Sequence, residues 1–242
     1  MRHTNTLALH KVDNDMDRFL LVILLVIMSL SSCQKTEEIP FDQGLEYQPL
    51  EIGLRWLYQV NETIYFGEND LESSDFFYRD HIVESFENEL GLRSYIIQRS
   101  KSSDRNNWQN HITYSIRVDN GFLVRNVENE KILPFQFPPQ PNRSWDGNLF
   151  NTNPEDLFSI EFVNRHSVGQ LIFNNVVKVN QENEDDLITV RDNRYEIFAK
   201  NVGLIESFYE VLAYCSRNEC LGEQRIESGR FTHIKLLSYD KI

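Results

Sequence analysis

From Gly53 onward the chain alternates apolar and polar residues. In GLRWLYQVNETIY, Trp56, Tyr58, Val60 and Ile64 share one face and Arg55, Gln59 and Asn61 the other. In FFYRDHIVESF the large residues Phe76, Tyr78, Ile82 and Phe86 sit at even spacing. HITYSIRV puts Ile112, Tyr114, Ile116 and Val118 inward and Thr113, Ser115 and Arg117 outward. FSIEFV repeats the pattern with Phe158, Ile160 and Phe162, and LIFNNVVKV and NRYEIFAK are also β-like. A period of two over such lengths predicts half-buried strands, because successive side chains on a strand point to opposite faces.

The punctuation agrees. Asn120-Gly121 lies between two such runs and predicts a tight hairpin, since both residues tolerate positive φ. ENELG, ending at Gly91, predicts a second turn. The segment from Leu133 to Asn148 carries Pro134, Pro138, Pro139 and Pro141. Proline cannot donate to a ladder, so this segment is expected to be an extended crossing loop that divides an earlier meander from a later one. NPEDLF is expected to open one helical turn, with Asn153 capping and Pro154 at the first position. AKNVGLIE is expected to be a strand with Gly203 at a bulge or a close approach. No long amphipathic helix is indicated. The fold class expected is mainly β: an antiparallel curved sheet, sandwich or partial barrel with little helix.

Composition narrows the function. With 242 residues, 40% hydrophobic and 25% charged, the chain resembles an ordinary globular protein. The net charge is −13. Removing residues 1–32 takes away Arg2, Lys11 and Arg18 together with Asp13, Asp15 and Asp17, so the charge is unchanged. Such a chain repels phosphate backbones, which argues against nucleic acid as a partner. It also gains nothing electrostatically from an anionic membrane, so attachment to one has to come from another source.

That source is legible at the amino terminus. From Phe19 to Leu30 only Ser29 is polar, and Arg18 flanks the run. A spanning helix needs about 20 residues. The run is too short for one and fits the apolar core of a signal peptide over residues 1–32. A start at Met16 would give MDRFLLVILLVIMSLSSC, a more usual signal length. Leu30-Ser31-Ser32-Cys33 resembles the bacterial lipobox, in which small residues enter a narrow peptidase site and the cysteine thiol receives the lipid. Several acyl chains together give stable anchoring, at about 0.8 kcal/mol per buried methylene. Gln34, Lys35, Glu37 and Glu38 follow, and resemble the surface-export signal of Bacteroidota lipoproteins; Thr36 departs from its most acidic form. Residues 33–44 are then a lipidated tether and residues 45–242 a single β-rich domain.

Cys215 and Cys220 flank four residues in YCSRNECLG, between two strand-like runs. In an exported protein this spacing predicts a structural disulfide at a hairpin tip. A redox motif favours two intervening residues, and a metal site needs further ligands beyond the lone His233. The sequence contains no G-x-S-x-G, H-E-x-x-H, Walker loop or dinucleotide glycine fingerprint. His81, His111, His166 and His233 are scattered and read as surface or satisfied residues. Trp56 reads as a core anchor. Trp108 and Trp145 lie near loops, where they either plug a sheet end or stack on a sugar or peptide. The acidic run Asn180 to Asp186 lacks the alternation and central Gly of a calcium loop and reads as a solvated turn. No metal or cofactor is expected.

The mature chain resembles a broad group of uncharacterised Bacteroidota lipoproteins. The carrying residues are Pro49, Gly53, Trp56 and Tyr58 in PLEIGLRWLY, then WDGN, and IFAKNVGLIES with CSRNECLGEQRIESG near the end. The resemblance implies no activity and no catalytic residues. The expectation is a non-enzymatic protein held in the outer membrane by its lipid, displayed on the cell surface with the periplasmic face as the alternative, and binding a protein partner, a glycan or an apolar ligand. The alternatives are a periplasmic carrier or assembly factor that shelters an apolar ligand in a curved sheet, and a hydrolase built on scattered carboxylates.

Overall fold

The computed structural model describes residues 42–242. A 3-10 turn, Leu45–Tyr47, precedes twelve strands. They are β1 (Leu54–Gly67), β2 (Asp70–Glu87), β3 (Arg93–Ser102), β4 (Gln109–Asp119), β5 (Phe122–Val127) and β6 (Glu130–Gln136). A second set follows: β7 (Ser144–Asp146), β8 (Leu157–Val168), β9 (Leu171–Asp185), β10 (Val190–Ala199), β11 (Gly203–Tyr214) and β12 (Ile226–Lys241). All belong to one antiparallel sheet of order β6-β5-β4-β3-β2-β1-β12-β11-β10-β9-β8-β7. Two six-stranded meanders therefore join where β1 pairs β12, and the proline-rich segment crosses between the two edges.

Those edges nearly meet, so the sheet is almost a closed barrel. The Leu133 N–H donates to the Gly147 carbonyl at 2.9 Å. The Trp145 indole N–H donates to the Leu133 carbonyl at 2.7 Å, and Asn151 donates to the Lys131 carbonyl at 2.8 Å. The proline expectation needs one correction. Pro134 lies inside β6 rather than in the crossing loop. β6 is an edge strand, the place where a missing N–H costs no ladder bond.

The barrel is filled, and its walls touch. Phe135 on β6 packs edge-on against Phe198 on β10, with ring centroids 4.9 Å apart. Trp56, Tyr58, Ile82, Ile97, Leu123 and Leu236 complete much of the buried core. Each such side chain contributes about 1.5–3 kcal/mol on burial. The 3-10 turn seals one end. Tyr47 stacks on Phe135 at 5.8 Å, and its hydroxyl donates to the Asn175 carbonyl at 3.0 Å.

Bulges explain where simple alternation misleads. The β2–β3 register shifts between Ile82 and Glu84, which turns Phe86 outward, where it is 53% exposed. The pair Asn164–Asn175 is missing from the β8–β9 ladder, and Asn175 has φ 53°. There the hairpin kinks, Phe162 is left 44% exposed, and the tip comes back toward β12. NPEDLF forms no helix: Asn153 and Pro154 lie in an irregular stretch before β8. The Asp146 carboxylate takes the Asn148 and Asp156 N–H groups, and Asn151 takes that of Asn153, so the local donors are satisfied without a helical turn. AKNVGLIE is not one strand but the β10–β11 hairpin, with its turn at Lys200–Val202.

Candidate functional site

Cys33, Gln34, Lys35, Glu37 and Glu38, with the signal segment, lie outside the described residues. Cys215 and Cys220 are joined as a disulfide, with Cα atoms 5.9 Å apart, in the β11–β12 connection. Both are buried. The acidic run is mostly strand: Asn180 to Asp185 belong to β9, and Asp186 opens the turn by accepting N–H bonds from Ile188, Thr189 and Val190. Among the described residues no group of three or more His, Cys, Asp or Glu is placed to hold a metal.

The short motifs converge on architecture. The Trp56 indole N–H donates to the Val202 carbonyl at 2.6 Å, and the Tyr58 hydroxyl to the Leu204 carbonyl at 3.1 Å. The G-x-x-W-x-Y stretch thus fastens onto the NVGL stretch across the barrel. Gly203 has φ 97°, and a Cβ there would lie 3.1 Å from the Gln48 side chain. In WDGN, Trp145 and Gly147 bond the opposite edge strand, and a Cβ on Gly147 would lie 2.4 Å from the Phe158 ring. These residues hold the fold shut.

Chemistry-bearing side chains gather in two places. The first is the interior. Asp80, in an inward slot of β2, takes both arms of the Arg99 guanidinium at 2.7 and 2.6 Å and the Tyr114 hydroxyl at 2.9 Å. Arg125 on β5 reaches across to Glu196 on β10 in a second two-armed bond, at 2.8 and 2.9 Å. Burial works against the charge on both arginines, but Asp80 and Glu196 outweigh it and leave both pKa values above the ordinary one. Burial, followed by the charge of Asp80, pushes the Tyr114 and Tyr58 hydroxyls up. The space left between these groups is about 110 Å³. Small-molecule sites span about 300–1,000 Å³. Both carboxylates are committed to guanidiniums, so neither is free to work as an acid or a base on a substrate.

The second gathering was invisible in the sequence. Tyr195, Phe208 and His233 are cross-strand partners on β10, β11 and β12 and share a face. On that face the Glu206 carboxylate bonds His233 Nε2 at 2.7 Å and Tyr195 Oη at 3.2 Å. The kinked β8–β9 hairpin brings in His166, whose Nε2 lies 2.6 Å from the second Glu206 oxygen. Burial raises the Glu206 pKa, but the hydrogen bonds from His233 and His166 win and bring it down to about 2. The histidines read as scattered thus include one pair clamped on a single carboxylate. Such a cluster ties a hairpin tip to the sheet. Glu206 stays ionised and saturated, which suits a strut better than a proton shuttle.

The surface carries two larger concavities. One, of about 480 Å³, is lined by Leu45, Pro49, Leu50, Leu92, Tyr95 and Val118. The other, of about 250 Å³, is lined by Arg55, Arg79, Arg105, Trp108 and Tyr239 among others.

Comparison with known proteins gives distant structural likenesses only. No family model matches the chain, and no curated protein matches it. Two of the solved structures it resembles are these. One is a protein from Bacteroides fragilis described as exported, with a YmcC-like fold: 13% identity, TM-score 0.41, covering 80% of this chain and 98% of that one. The other is a protein from Parabacteroides distasonis described as a lipoprotein: 12% identity, TM-score 0.40, covering 80% of this chain and 98% of that one. Both scores lie below 0.5, so neither likeness assigns an activity, a ligand or a partner to this chain.

Proposed function

We propose that this chain is a lipid-anchored, non-enzymatic envelope protein that uses a filled β-barrel as a scaffold and binds a protein partner or a glycan on its outer surface. The observation that carries the reading is the interior. Its free space is about 110 Å³ and its two carboxylates are each held by a guanidinium. A carrier that shelters its ligand inside the curved sheet needs an interior apolar cavity, and a hydrolase built on these two carboxylates needs one of them free. The anchor rests on Leu30-Ser31-Ser32-Cys33, and the outer-leaflet address on Gln34, Lys35, Glu37 and Glu38.

The anchor is tested with Cys33→Ala. The expected result is an unprocessed precursor without the acyl mass; normal processing and membrane partition would remove the anchor. The address is tested by protease treatment of intact cells with a carboxy-terminal tag. Digestion without lysis supports surface display. Protection until the outer membrane is broken moves the protein to the periplasmic face.

A further inference from the structure

We infer that the outer-face pocket between Arg79, Arg105 and Trp108 is a binding site for a carboxylate-bearing sugar, such as a uronic acid unit of a glycan. The inference deepens the binding reading and rests on it.

The pocket lies over the face of the sheet that carries Arg55, Leu57 and Arg79, with Trp56 between them also in its lining. Its floor is set by pairing: Arg55 stands opposite His81 and Asp240, and Leu57 opposite Arg79 and Ser238. The β3–β4 connection folds back over this floor. It lays Trp108 against Arg79, with the guanidinium carbon 4.4 Å from the ring centroid, and Arg105 against Phe77 at 5.1 Å. The open concavity holds about 250 Å³, room for a single sugar unit of a longer glycan rather than for a whole drug-sized ligand.

Charge is the first indication. The protein carries −13, yet this pocket gathers Arg55, Arg79 and Arg105 against Asp240 alone. Among the described residues ten arginines pair with carboxylates. Arg79, Arg105, Arg143 and Arg165 do not, and two of these four meet here. His81 beside them feels the same field. Burial first, then Arg55 and Arg79, push its pKa down. Unpaired guanidiniums in a concave site present planar forks suited to a carboxylate.

Pre-organisation is the second. The Asp104 carboxylate accepts the N–H groups of Asn106 and Asn107, both at 2.9 Å, together with the Asn107 side chain. Those bonds, the Asn107 N–H first, hold its pKa well below the usual carboxylate range. The Ser102 hydroxyl accepts the Arg105 N–H at 3.0 Å, and the Trp108 indole donates to the Arg105 carbonyl at 3.0 Å. Arg105 itself sits at φ 64°, a left-handed conformation uncommon for a residue with a side chain. The loop thus fixes the Arg105 backbone and the Trp108 ring through its own bonds, and among the described residues no carboxylate pairs with the Arg79 or Arg105 guanidinium. A site arranged before its ligand arrives loses less freedom on binding.

The rest of the lining selects a sugar. The Ser238 hydroxyl is placed for a ring hydroxyl and Trp108 adds aromatic surface, while Asp240 holds Arg55 in a two-armed bond at 2.8 Å and leaves Arg79 and Arg105 for the ligand. An acidic peptide strand would instead use a free sheet edge. The floor here is β12, β1 and β2, each already paired on both sides.

The test is a titration of the full lipidated chain in detergent micelles with a hyaluronan oligosaccharide, its carboxyl-reduced counterpart and poly-glutamate. The expected result is binding of the first, weakened by salt, with a loss of at least about tenfold on carboxyl reduction, in Arg79→Ala and in Arg105→Ala. Arg93→Ala, remote in the sheet and paired with Glu87, serves as the control and leaves affinity unchanged. Arg105 is exposed on a loop, so its variant reports binding even where Arg79→Ala disturbs folding. No binding of the hyaluronan oligosaccharide, equal binding of the reduced sugar, or full affinity in both variants overturns the proposal. Equal affinity for poly-glutamate overturns it in favour of an acidic protein partner. None of these results alters the acyl mass or the cell-surface digestion, which test the anchor and address separately.

Discussion

Arg99 and Arg79 stand on neighbouring strands and on opposite faces of the same sheet. Arg79 lies opposite Ser100, and Arg99 opposite Asp80. Inside, Arg99 gives both arms to a buried carboxylate and is overlaid by Tyr78 at 4.6 Å. Outside, Arg79 lies on Trp108 and, among the described residues, forms no salt bridge. The same side chain is a structural member in one place and an unspent donor in the other. What differs is the partner across the ladder. A buried ion must be neutralised where it stands, whereas an arginine at the surface is hydrated and keeps its capacity for a ligand.

The largest effect is expected from breaking the inner pair. Arg99→Met leaves Asp80, 3% exposed, without its counter-charge, at a cost of about 3–5 kcal/mol. Urea unfolding reads this directly, and Asp80→Asn on top of Arg99→Met should recover a good part of it. A single variant as stable as wild type would mean that the pair is not structural.

Next comes the Glu206 cluster, where the sign of the pH dependence is fixed. The folded pKa of about 2 lies below the unfolded 4.5. The carboxylate therefore stabilises the fold fully above pH 4.5, and this contribution is lost as pH falls from there toward 2. The shift corresponds to roughly 3 kcal/mol. Stability measured across that window should fall steeply in wild type and less steeply in Glu206→Gln. Equal slopes in the two proteins would contradict the strut.

Gly147→Ala tests the edge closure. A Cβ there meets the Phe158 ring at 2.4 Å, so either the ring or the Leu133–Gly147 bond must move. The expected loss is about 1–3 kcal/mol, with faster amide exchange at Leu133. Unchanged exchange would place the closure elsewhere.

The smallest effect sharpens the comparison most. Arg79→Ala should change stability by no more than about 0.5 kcal/mol, because no buried partner is orphaned. A loss as large as that of Arg99→Met would make the outer arginine structural as well.

Much of the fold was legible. Alternation in HITYSIRV and GLRWLYQV places the inward side chains correctly because those strands are regular where the pattern was read. Asn120 and Gly121 do adopt φ 50° and 79°, as a tight hairpin needs. The equivalent turn at Glu128 and Asn129 has φ 50° and 69° without glycine, and leaves no comparable mark in the sequence. Phe86 escaped because a one-residue bulge reverses every side chain beyond it. The site was less legible. Asp80 between Tyr78 and Ile82 was a visible signal, a charge in an inward slot, but its partner Arg99 follows only from the register. His166 and His233 could not be joined from sequence, because their meeting depends on a hairpin kinked at Asn175.

The most direct test of a filled scaffold is the native mass of the lipidated protein, extracted from its own envelope and released from detergent micelles. The account predicts the polypeptide with its covalent acyl groups and no further apolar molecule. A stoichiometric non-covalent lipid, retained in wild type, would contradict it and make the barrel a container.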